Sequence, residues 1–146
     1  MRNLSVGWQV IAIIAVVVLS GLAVKLYVSR GAKISQAQLL ERIEQKSNVC
    51  ILDVRTGREF NSGHVPGAIN INHRQISANL DRLKPYADED VVVYCELGVR
   101  ARMAQRTLAK SGFHRVYHLV GDMAAWREAG LATETPALQA EQQPAS

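Results

Sequence analysis

One cysteine of this chain stands where a fold could turn a thiol into a nucleophile. The apolar run VVVY ends at residue 94, Cys95 follows it, and after four more residues Arg100 opens a stretch of good helix formers. If a buried strand feeds a helix here, the unpaired N–H groups at the helix N-terminus can converge on the sulfur. Gly98 permits the tight turn, and Arg100 adds a positive charge at its rim. Such surroundings lower the pKa of a thiol and favour nucleophilic chemistry.

The alternative interpretation of this cysteine is an inert core residue, because free cysteine is among the most buried residue types. The chain has only 2 Cys, too few for a disulfide framework. The other one, Cys50, lies in the apolar run VCILDV, and we interpret it as a small buried hydrophobic residue. The sequence leaves open a bridge between Cys50 and Cys95. A strand-end cysteine alone therefore does not identify an enzyme.

The elements that must position Cys95 are alternating strands and helices. Short runs that are apolar on both faces predict strands at 49–54, 68–71, 91–94 and 116–119. Helical patterns with caps and terminating glycine or proline predict helices at 35–43, 58–61, 76–83, 100–111 and 123–129. This alternation is typical of an α/β fold with a small parallel β-sheet flanked by helices on both faces. Ligands of such sheets bind beyond the carboxyl ends of the strands, which is where Cys95 is expected.

An apolar N-terminal segment predicts a membrane anchor. Residues 8–24 carry no charge, and with the flanking residues they reach the length of about 20 residues that crosses a bilayer. Trp8 and Tyr27 suit the two membrane interfaces. A cleavable signal peptide is the alternative, but only Arg2 precedes the apolar stretch and no A-x-A cleavage site follows it. We therefore predict one transmembrane helix, with membrane contact through residues 4–28.

The basic residues around this segment predict its orientation and exclude one class of partner. One arginine precedes the apolar stretch and three basic residues follow it. This asymmetry predicts a single-pass protein of the cytoplasmic (inner) membrane of a bacterium, with the remaining chain in the cytoplasm and a periplasmic domain as the alternative. The segment also accounts for the net charge of +4, because the other 13 Lys and Arg match 13 Asp and Glu. Since these basic residues form no patch on a domain, we expect no nucleic-acid binding.

These patterns predict three parts of the chain. Residues 1–33 form an N-terminal anchor with its basic flank, and residues 34–131 form the α/β domain. Residues 132–146 show no periodicity and are expected to be a disordered tail.

Three stretches of the chain resemble the signature blocks of the rhodanese family, in the family's order and spacing. They are LDVRTGREFNSGHVPGAIN at 52–70, VVVYCELGVRA at 91–101 and GFHRVYHLVGDMAAW at 112–126. The resemblance covers about residues 34–131 and implies a rhodanese-like α/β fold. It also implies a sulfurtransferase whose cysteine, Cys95 by position, takes sulfane sulfur as a persulfide from a thiosulfate-like or persulfide donor. A thiol or cyanide then accepts the sulfur, and no cofactor is needed.

The stretch after the cysteine is the persulfide-binding loop that this resemblance implies. Its residues are Glu96, Leu97, Gly98, Val99 and Arg100. Cysteine phosphatases of related fold have five residues between cysteine and arginine, whereas this chain has four. The shorter loop suits a persulfide sulfur, and it lacks the room and the donor that a phosphate cradle needs.

Two residues depart from the family's pattern. Glu96 stands where relatives that use thiosulfate often carry a basic residue. Its carboxylate opposes an anionic donor and tends to raise the pKa of the neighbouring thiol, so the identity of the donor stays open. Asp122 replaces the second of two glycines. Aspartate tolerates left-handed backbone and could cap the following helix, so we expect the fold to survive this change.

Other polar residues are expected to support the site rather than to react. Asp53, Arg55 and Glu59 cluster after the first predicted strand, and we interpret them as an ion-pair group that pins the following loop. The ring of His64 is expected to bond the backbone of its turn, because a lone histidine needs a positioned partner for acid–base chemistry. The remaining histidines show no metal-ligand spacing, so no metal site is expected.

The resulting functional prediction is a membrane-anchored sulfurtransferase that works through a Cys95 persulfide. The alternative is a non-catalytic rhodanese-like binding or redox-sensing module tethered to the membrane. The presence of the cysteine favours the enzyme, because non-catalytic relatives usually lack it.

Overall fold

The structure, a computed structural model, describes residues 4–29 and 31–136. Its contacts divide the chain into two compact units, residues 1–30 and residues 31–146. The first unit contains helix α1 (Leu4–Ser29). The second contains all the strands and the remaining helices.

The membrane prediction is not supported. A bilayer span takes about 20 consecutive, predominantly apolar residues. Within residues 4–29 and 31–136, no helix combines the length and the apolar character that crossing a membrane requires. This finding contradicts the predicted location in the cytoplasmic membrane, on either side, and leaves the predicted transmembrane helix and the membrane contact through residues 4–28 without support.

Five parallel strands form the sheet of the second unit. They are β1 (Ala32–Ile34), β2 (Val49–Asp53), β3 (Ile69–Asn70), β4 (Asp90–Tyr94) and β5 (Val116–Leu119). The strand order is β1-β5-β4-β2-β3, and every neighbouring pair is parallel. The predicted α/β class with a small parallel sheet is confirmed. Because β4 lies in the middle of the sheet, the residue that follows it stands at the centre of the carboxyl edge.

Helices cover both faces of this sheet. They are α2 (Gln36–Glu44), α3 (Gly57–Asn61), α4 (Leu80–Leu83), α5 (Val99–Lys110) and α6 (Asp122–Glu128). One core cluster packs Leu108 of α5 and Leu83 of α4 against the sheet. The other packs Leu39 of α2 and the fully buried Trp126 of α6 against the opposite face. Burial on both faces explains why residues 91–94 are apolar without alternation.

Three elements differ from the sequence prediction. The helix expected at 76–83 is a series of short turns, with 3-10 helices at His73–Gln75 and Ser77–Asn79 before the four residues of α4. Asn72 begins this series by accepting a hydrogen bond from the Arg74 N–H (3.0 Å), and such Asn turns compete with a regular helix. Strand β3 is shorter than expected. Strand β1 was not predicted, because a three-residue strand with only one buried side chain leaves no pattern to detect.

The segment after residue 131 extends the contacts of the second unit. Residues 137–146 of the predicted tail lie outside the described residues. Glu134 forms an antiparallel bridge with His64, in which each N–H donates to the other carbonyl (2.9 and 3.0 Å). The Glu134 carboxylate also accepts the Gly67 N–H (2.9 Å). These bonds hold residues up to at least 134 against the turn after α3.

Candidate active site

The sulfur of Cys95 lies inside the turn that joins β4 to α5. Strand β4 ends at Tyr94, and α5 begins at Val99. Gly98, the residue before the helix, adopts the left-handed φ of 98°, which glycine adopts without steric cost. This turn aims the Gly98 N–H at the Cys95 sulfur, with an N–Sγ distance of 3.0 Å. Cys95 is 1% exposed, so its sulfur is almost entirely shielded from solvent. We call the rim formed by the side chains of Glu96 and Arg100 the mouth of the loop.

The first turn of α6 binds the backbone of the same loop. The carbonyl of Cys95 accepts the Met123 N–H (3.0 Å), and the carbonyl of Glu96 accepts the Ala124 N–H (3.2 Å). The N–H of Cys95 donates to Oδ1 of Asp122 (2.8 Å). Both backbone polar groups of Cys95 are therefore bound by one neighbouring element, which fixes the direction of its side chain.

Asp122 does not act as predicted from the sequence. Its φ of 54° confirms the expected left-handed backbone. The expected capping of the following helix is wrong, because no side chain caps α6. Instead the carboxylate turns back, with Oδ1 on the Cys95 N–H and Oδ2 2.9 Å from His118 Nε2. Sequence reasoning missed His118, whose role depends on the packing of β5 beside β4.

Arg100 is paired with Glu59 across the mouth of the loop. Both terminal nitrogens of Arg100 donate to the two oxygens of the Glu59 carboxylate, each at 2.8 Å. The hydrogen bonds from Arg100 hold the pKa of the Glu59 carboxyl well below its usual range, so this carboxylate is ionised at neutral pH. The charge expected from Arg100 at the rim is therefore largely compensated.

Arg55 and Asp53 form a buried ion pair beneath the site. Asp53 is fully buried, and Arg55 is 1% exposed. The guanidinium donates to both Asp53 oxygens, the shortest contact being 2.7 Å, and to the Gly63 carbonyl at 2.8 Å. His64, next to that carbonyl, has its ring Nδ1 2.9 Å from the Phe60 carbonyl oxygen. These bonds tie the segment after β2 to the turn after α3.

Glu96 is held by two arginines. Its carboxylate forms an ion pair with Arg127 of α6, and Oε2 also lies 3.4 Å from a terminal nitrogen of Arg55. Arg127 was not anticipated, because it lies 31 residues from Glu96 in the chain and no local pattern marks it. Pairing with two guanidinium groups offsets the negative charge that the sequence placed beside the cysteine.

A cleft of about 700 Å³ opens beside the loop. Its charged lining consists of Arg55, Glu59, Glu96 and Arg127. Cys95 is not among the lining residues, and the cleft adjoins its loop through Glu96. The ion pairs around the loop combine three guanidinium groups with three carboxylates, those of Arg55, Arg100, Arg127, Asp53, Glu59 and Glu96. The surroundings of the loop are thus polar and close to neutral in charge.

The other two loop residues, Leu97 and Val99, contribute backbone rather than charge. Their side chains are 78% and 61% exposed. Within the residues that the structure describes, no group of three His, Cys, Asp or Glu side chains could hold a metal ion. The groups that the structure places at the loop are a thiol, a backbone donor and the surrounding ion pairs.

Comparison with known proteins decides the family. Residues 35–129 match the rhodanese-like domain. The chain belongs to the rhodanese family. It is 38% identical over 96 residues to the thiosulfate sulfurtransferase GlpE of Shewanella oneidensis, covering 66% of this chain and 92% of that protein. It is 31% identical over 104 residues to a sulfurtransferase of Allochromatium vinosum, covering 71% of this chain and 95% of that protein.

A solved structure supports the same conclusion for the fold. The rhodanese-related protein of Thermoplasma volcanium matches with a TM-score of 0.62 and 26% identity, over 70% of this chain and 97% of that chain. The predicted rhodanese-like α/β fold is confirmed. The family resemblance of the three sequence blocks therefore identified the architecture correctly.

The two thiols of this rhodanese are separate and differ in their surroundings. Both cysteines are free. Cys50 pairs with Val91 in the sheet, four residues before Cys95, which corresponds to about 13 Å along a strand. Burial raises the pKa of the Cys50 thiol to about 12, so almost none of it is thiolate near neutral pH.

We expect Cys50 to be inert in the folded rhodanese. At pH 8 the Cys95→Ser variant should take up no iodoacetamide, because the pKa of Cys50 lies far above this pH and only the thiolate reacts. The same variant in 8 M urea (a concentration of roughly that order unfolds most domains) should be alkylated once. Peptide mass analysis provides the measurement. Alkylation of Cys50 in the native variant would contradict its buried, inert role.

Proposed function

We propose that this rhodanese is a sulfurtransferase that carries sulfane sulfur on Cys95. In the first step the Cys95 thiolate attacks the sulfane sulfur of a thiosulfate-like or persulfide donor. A bond forms between Sγ and that sulfur, and the donor leaves with the electron pair of the broken bond, as sulfite or as a thiolate. In the second step a thiol, as its thiolate, or cyanide attacks the outer sulfur. Cys95 leaves as a thiolate, so the cycle consumes no oxidant and no cofactor.

The observation that carries this proposal is the Gly98 N–H, 3.0 Å from the Cys95 sulfur at the start of α5. A backbone donor at this position, with the positive end of a 12-residue helix behind it, stabilises a sulfur anion. The same donor can serve the departing thiolate of Cys95 when the outer sulfur is transferred. The names of the relatives, thiosulfate sulfurtransferase and sulfurtransferase, support the reaction class.

In this proposal the loop residues have distinct roles. Gly98 supplies the N–H that donates to the sulfur. The backbone of the neighbouring residues Leu97 and Val99 forms the rest of the turn around the sulfur. Glu96 and Arg100 define the charged mouth through which donor and acceptor approach. A second group, Asp53, Arg55, Glu59 and His64, supports the loop through the ion pairs and hydrogen bonds described above. We further propose residues 34–131 as the catalytic domain, between an N-terminal segment 1–33 and a tail 132–146.

Steady-state kinetics tests the proposal. Thiosulfate or a low-molecular-weight persulfide serves as donor and cyanide as acceptor, and thiocyanate is the product that is measured. We expect parallel lines in double-reciprocal plots, because a covalent intermediate gives ping-pong kinetics. Intersecting lines would contradict a free persulfide intermediate. Absence of turnover with each donor would favour a rhodanese-like binding or redox-sensing module instead.

Removal of the Glu96 charge should improve the binding of an anionic donor. In Glu96→Gln, Arg127 loses its partner while Arg55 keeps Asp53, so a positive charge becomes available beside the loop. We expect the KM for thiosulfate to fall about three- to fivefold, the effect of about 1 kcal/mol that an exposed ion pair can contribute. The matched control is Glu128→Gln, because Glu128 is an exposed glutamate next to Arg127 on α6. An unchanged or higher KM in Glu96→Gln would show that Glu96 does not restrict anionic donors.

A further inference from the structure

Asp122 is a buried carboxylate on a backbone of uncommon conformation. It is 3% exposed, and its φ of 54° lies in the region that residues with a side chain rarely adopt. Left-handed backbone and burial of a carboxylate both cost free energy. Such costs cluster at functional sites, and the glycine that the family's pattern has at this position would incur neither of them.

Both carboxylate oxygens of Asp122 have hydrogen-bond partners, one in the loop after β4 and the other on β5. Oδ1 accepts the N–H of Cys95 itself (2.8 Å). Oδ2 lies 2.9 Å from Nε2 of His118, whose side chain is 11% exposed. The carboxylate therefore joins the end of β5 to the first residue after β4.

Asp122 and His118 also pack against Gly98, whose N–H donates to the Cys95 sulfur. A Cβ atom on Gly98 would come within 2.9 Å of Asp122 Oδ2 and 3.1 Å of His118 Cε1. Gly98 is thus in close contact with both members of the pair. One carboxylate and one imidazole contact the loop at its first residue and at the donor opposite the sulfur.

We propose that Asp122 and His118 are positioning residues for Cys95, a role that rests on the proposed sulfur transfer and extends it beyond the loop. Asp122 holds the Cys95 N–H, so the side chain of Cys95 is directed at the Gly98 N–H rather than into the cleft. His118 orients the carboxylate, and the contact of both with Gly98 keeps that donor in place. Neither residue touches the reacting sulfur in this role.

Three substitutions separate positioning from stability. Asp122→Gly removes the carboxylate and relieves the left-handed strain, Asp122→Asn keeps an oxygen for the Cys95 N–H, and His118→Phe keeps a ring without the bond to Oδ2. An asparagine can retain the second contact too, because imidazole Nε2 can donate or accept. Glu128→Gln, an exposed position on the same helix, is the control.

We expect Asp122→Gly to lower kcat at least about tenfold with KM for the donor within about twofold, since small misplacements of a reacting group cost up to about a hundredfold. Asp122→Asn should retain at least about a third of kcat, and His118→Phe should lie between the two. The urea midpoint of each variant, measured in parallel, shows whether its activity assay contains folded protein. An Asp122→Gly variant that is folded and has the kcat of the wild type would overturn the proposal. So would an Asp122→Asn variant as slow as Asp122→Gly.

A second readout keeps this test independent of the proposed activity. The rate constant for alkylation of Cys95 by iodoacetamide is measured in the Cys50→Ser background, without any sulfur donor. Asp122→Gly should change this rate constant at least about threefold, and Asp122→Asn by less, because the fixed direction of the thiol is lost only in the first. If the wild-type chain transfers no sulfur but this difference appears, the proposed function fails and the positioning role stands. Equal rate constants in all variants would refute the positioning role whatever the activity.

Discussion

Cys95→Ser is expected to abolish sulfur transfer, with kcat at least about a thousandfold lower than that of the wild type. Loss of the nucleophile from an enzyme with a covalent intermediate costs up to about a millionfold elsewhere. A serine hydroxyl keeps the size and the hydrogen bond from Gly98 but forms no persulfide. Thiocyanate production from thiosulfate and cyanide is the measurement.

Cys50→Ser is the matched control for this prediction. It makes the same change of sulfur to oxygen at a buried position of β2. Cys50 has no role in the proposed mechanism, so the kcat of this variant should stay within about twofold of the wild-type value when it is folded. Residual transfer by Cys95→Ser at more than a few per cent of the wild-type rate would show that the sulfur travels by another route. The urea midpoints of both variants confirm that activities are compared between folded proteins.

Arg55→Met is expected to cost about 3–5 kcal/mol of the free energy of unfolding. The guanidinium is 1% exposed and donates to Asp53, which is fully buried. Its removal leaves a buried carboxylate without a countercharge, bound by the backbone N–H of residue 55 (2.9 Å). Breaking a buried pair by removing one partner has this cost in general. It also removes the bond to the Gly63 carbonyl. Urea unfolding followed by tryptophan fluorescence is the measurement.

The double variant Asp53→Leu with Arg55→Met tests the cause of that loss. Because it removes both charges, it should be more stable than Arg55→Met alone, as when a buried pair is replaced by apolar side chains. Arg58→Met, at an exposed position of α3, should change the free energy of unfolding by less than about 0.5 kcal/mol. A loss below about 1 kcal/mol for Arg55→Met would show that this pair does not hold the segment after β2.

Much of the fold was predictable because it depends on local patterns. The runs at residues 49–54 and 91–94 are apolar on both faces, and burial of parallel strands by helices on each side requires this composition. Gly112 ends the pattern of α5, and its φ of 91° agrees with the left-handed backbone that glycine allows after a helix. Strand β1 could not be predicted, because its pairing with β5 depends on tertiary contacts.

The arrangement around Cys95 was predictable only in part, and the reason is distance along the chain. The glycine turn before α5 is local, and the Gly98 N–H lies where the sequence pattern places a donor. The partners of the charged residues are not local. Glu96 meets Arg127, and Asp122 meets the N–H of Cys95, 27 residues away. From the sequence, Glu96 was expected to oppose an anionic donor and Asp122 was a candidate helix cap, and tertiary contacts gave both side chains other partners.

These partners change the expected chemistry of the mouth of the loop. Glu96 read alone opposes an anionic donor, but two guanidinium groups offset its charge. Arg100 read alone attracts an anion, but Glu59 binds both of its terminal nitrogens. Neither residue then determines the donor by itself. If the proposed sulfur transfer holds, we expect these ion pairs to influence the choice between thiosulfate and a persulfide, and the KM of the Glu96→Gln variant tests this expectation.

Sulfur transfer through Cys95 requires a persulfide on this residue, and intact-mass measurement after exposure to a donor detects that persulfide. The chain is incubated with thiosulfate or with a low-molecular-weight persulfide, freed of the donor, and measured before and after treatment with cyanide. We expect the wild type and Cys50→Ser to gain the mass of one sulfur atom that cyanide removes, and Cys95→Ser to gain none. A sulfur adduct of equal occupancy on Cys95→Ser would show that Cys95 is not the residue that carries the sulfur.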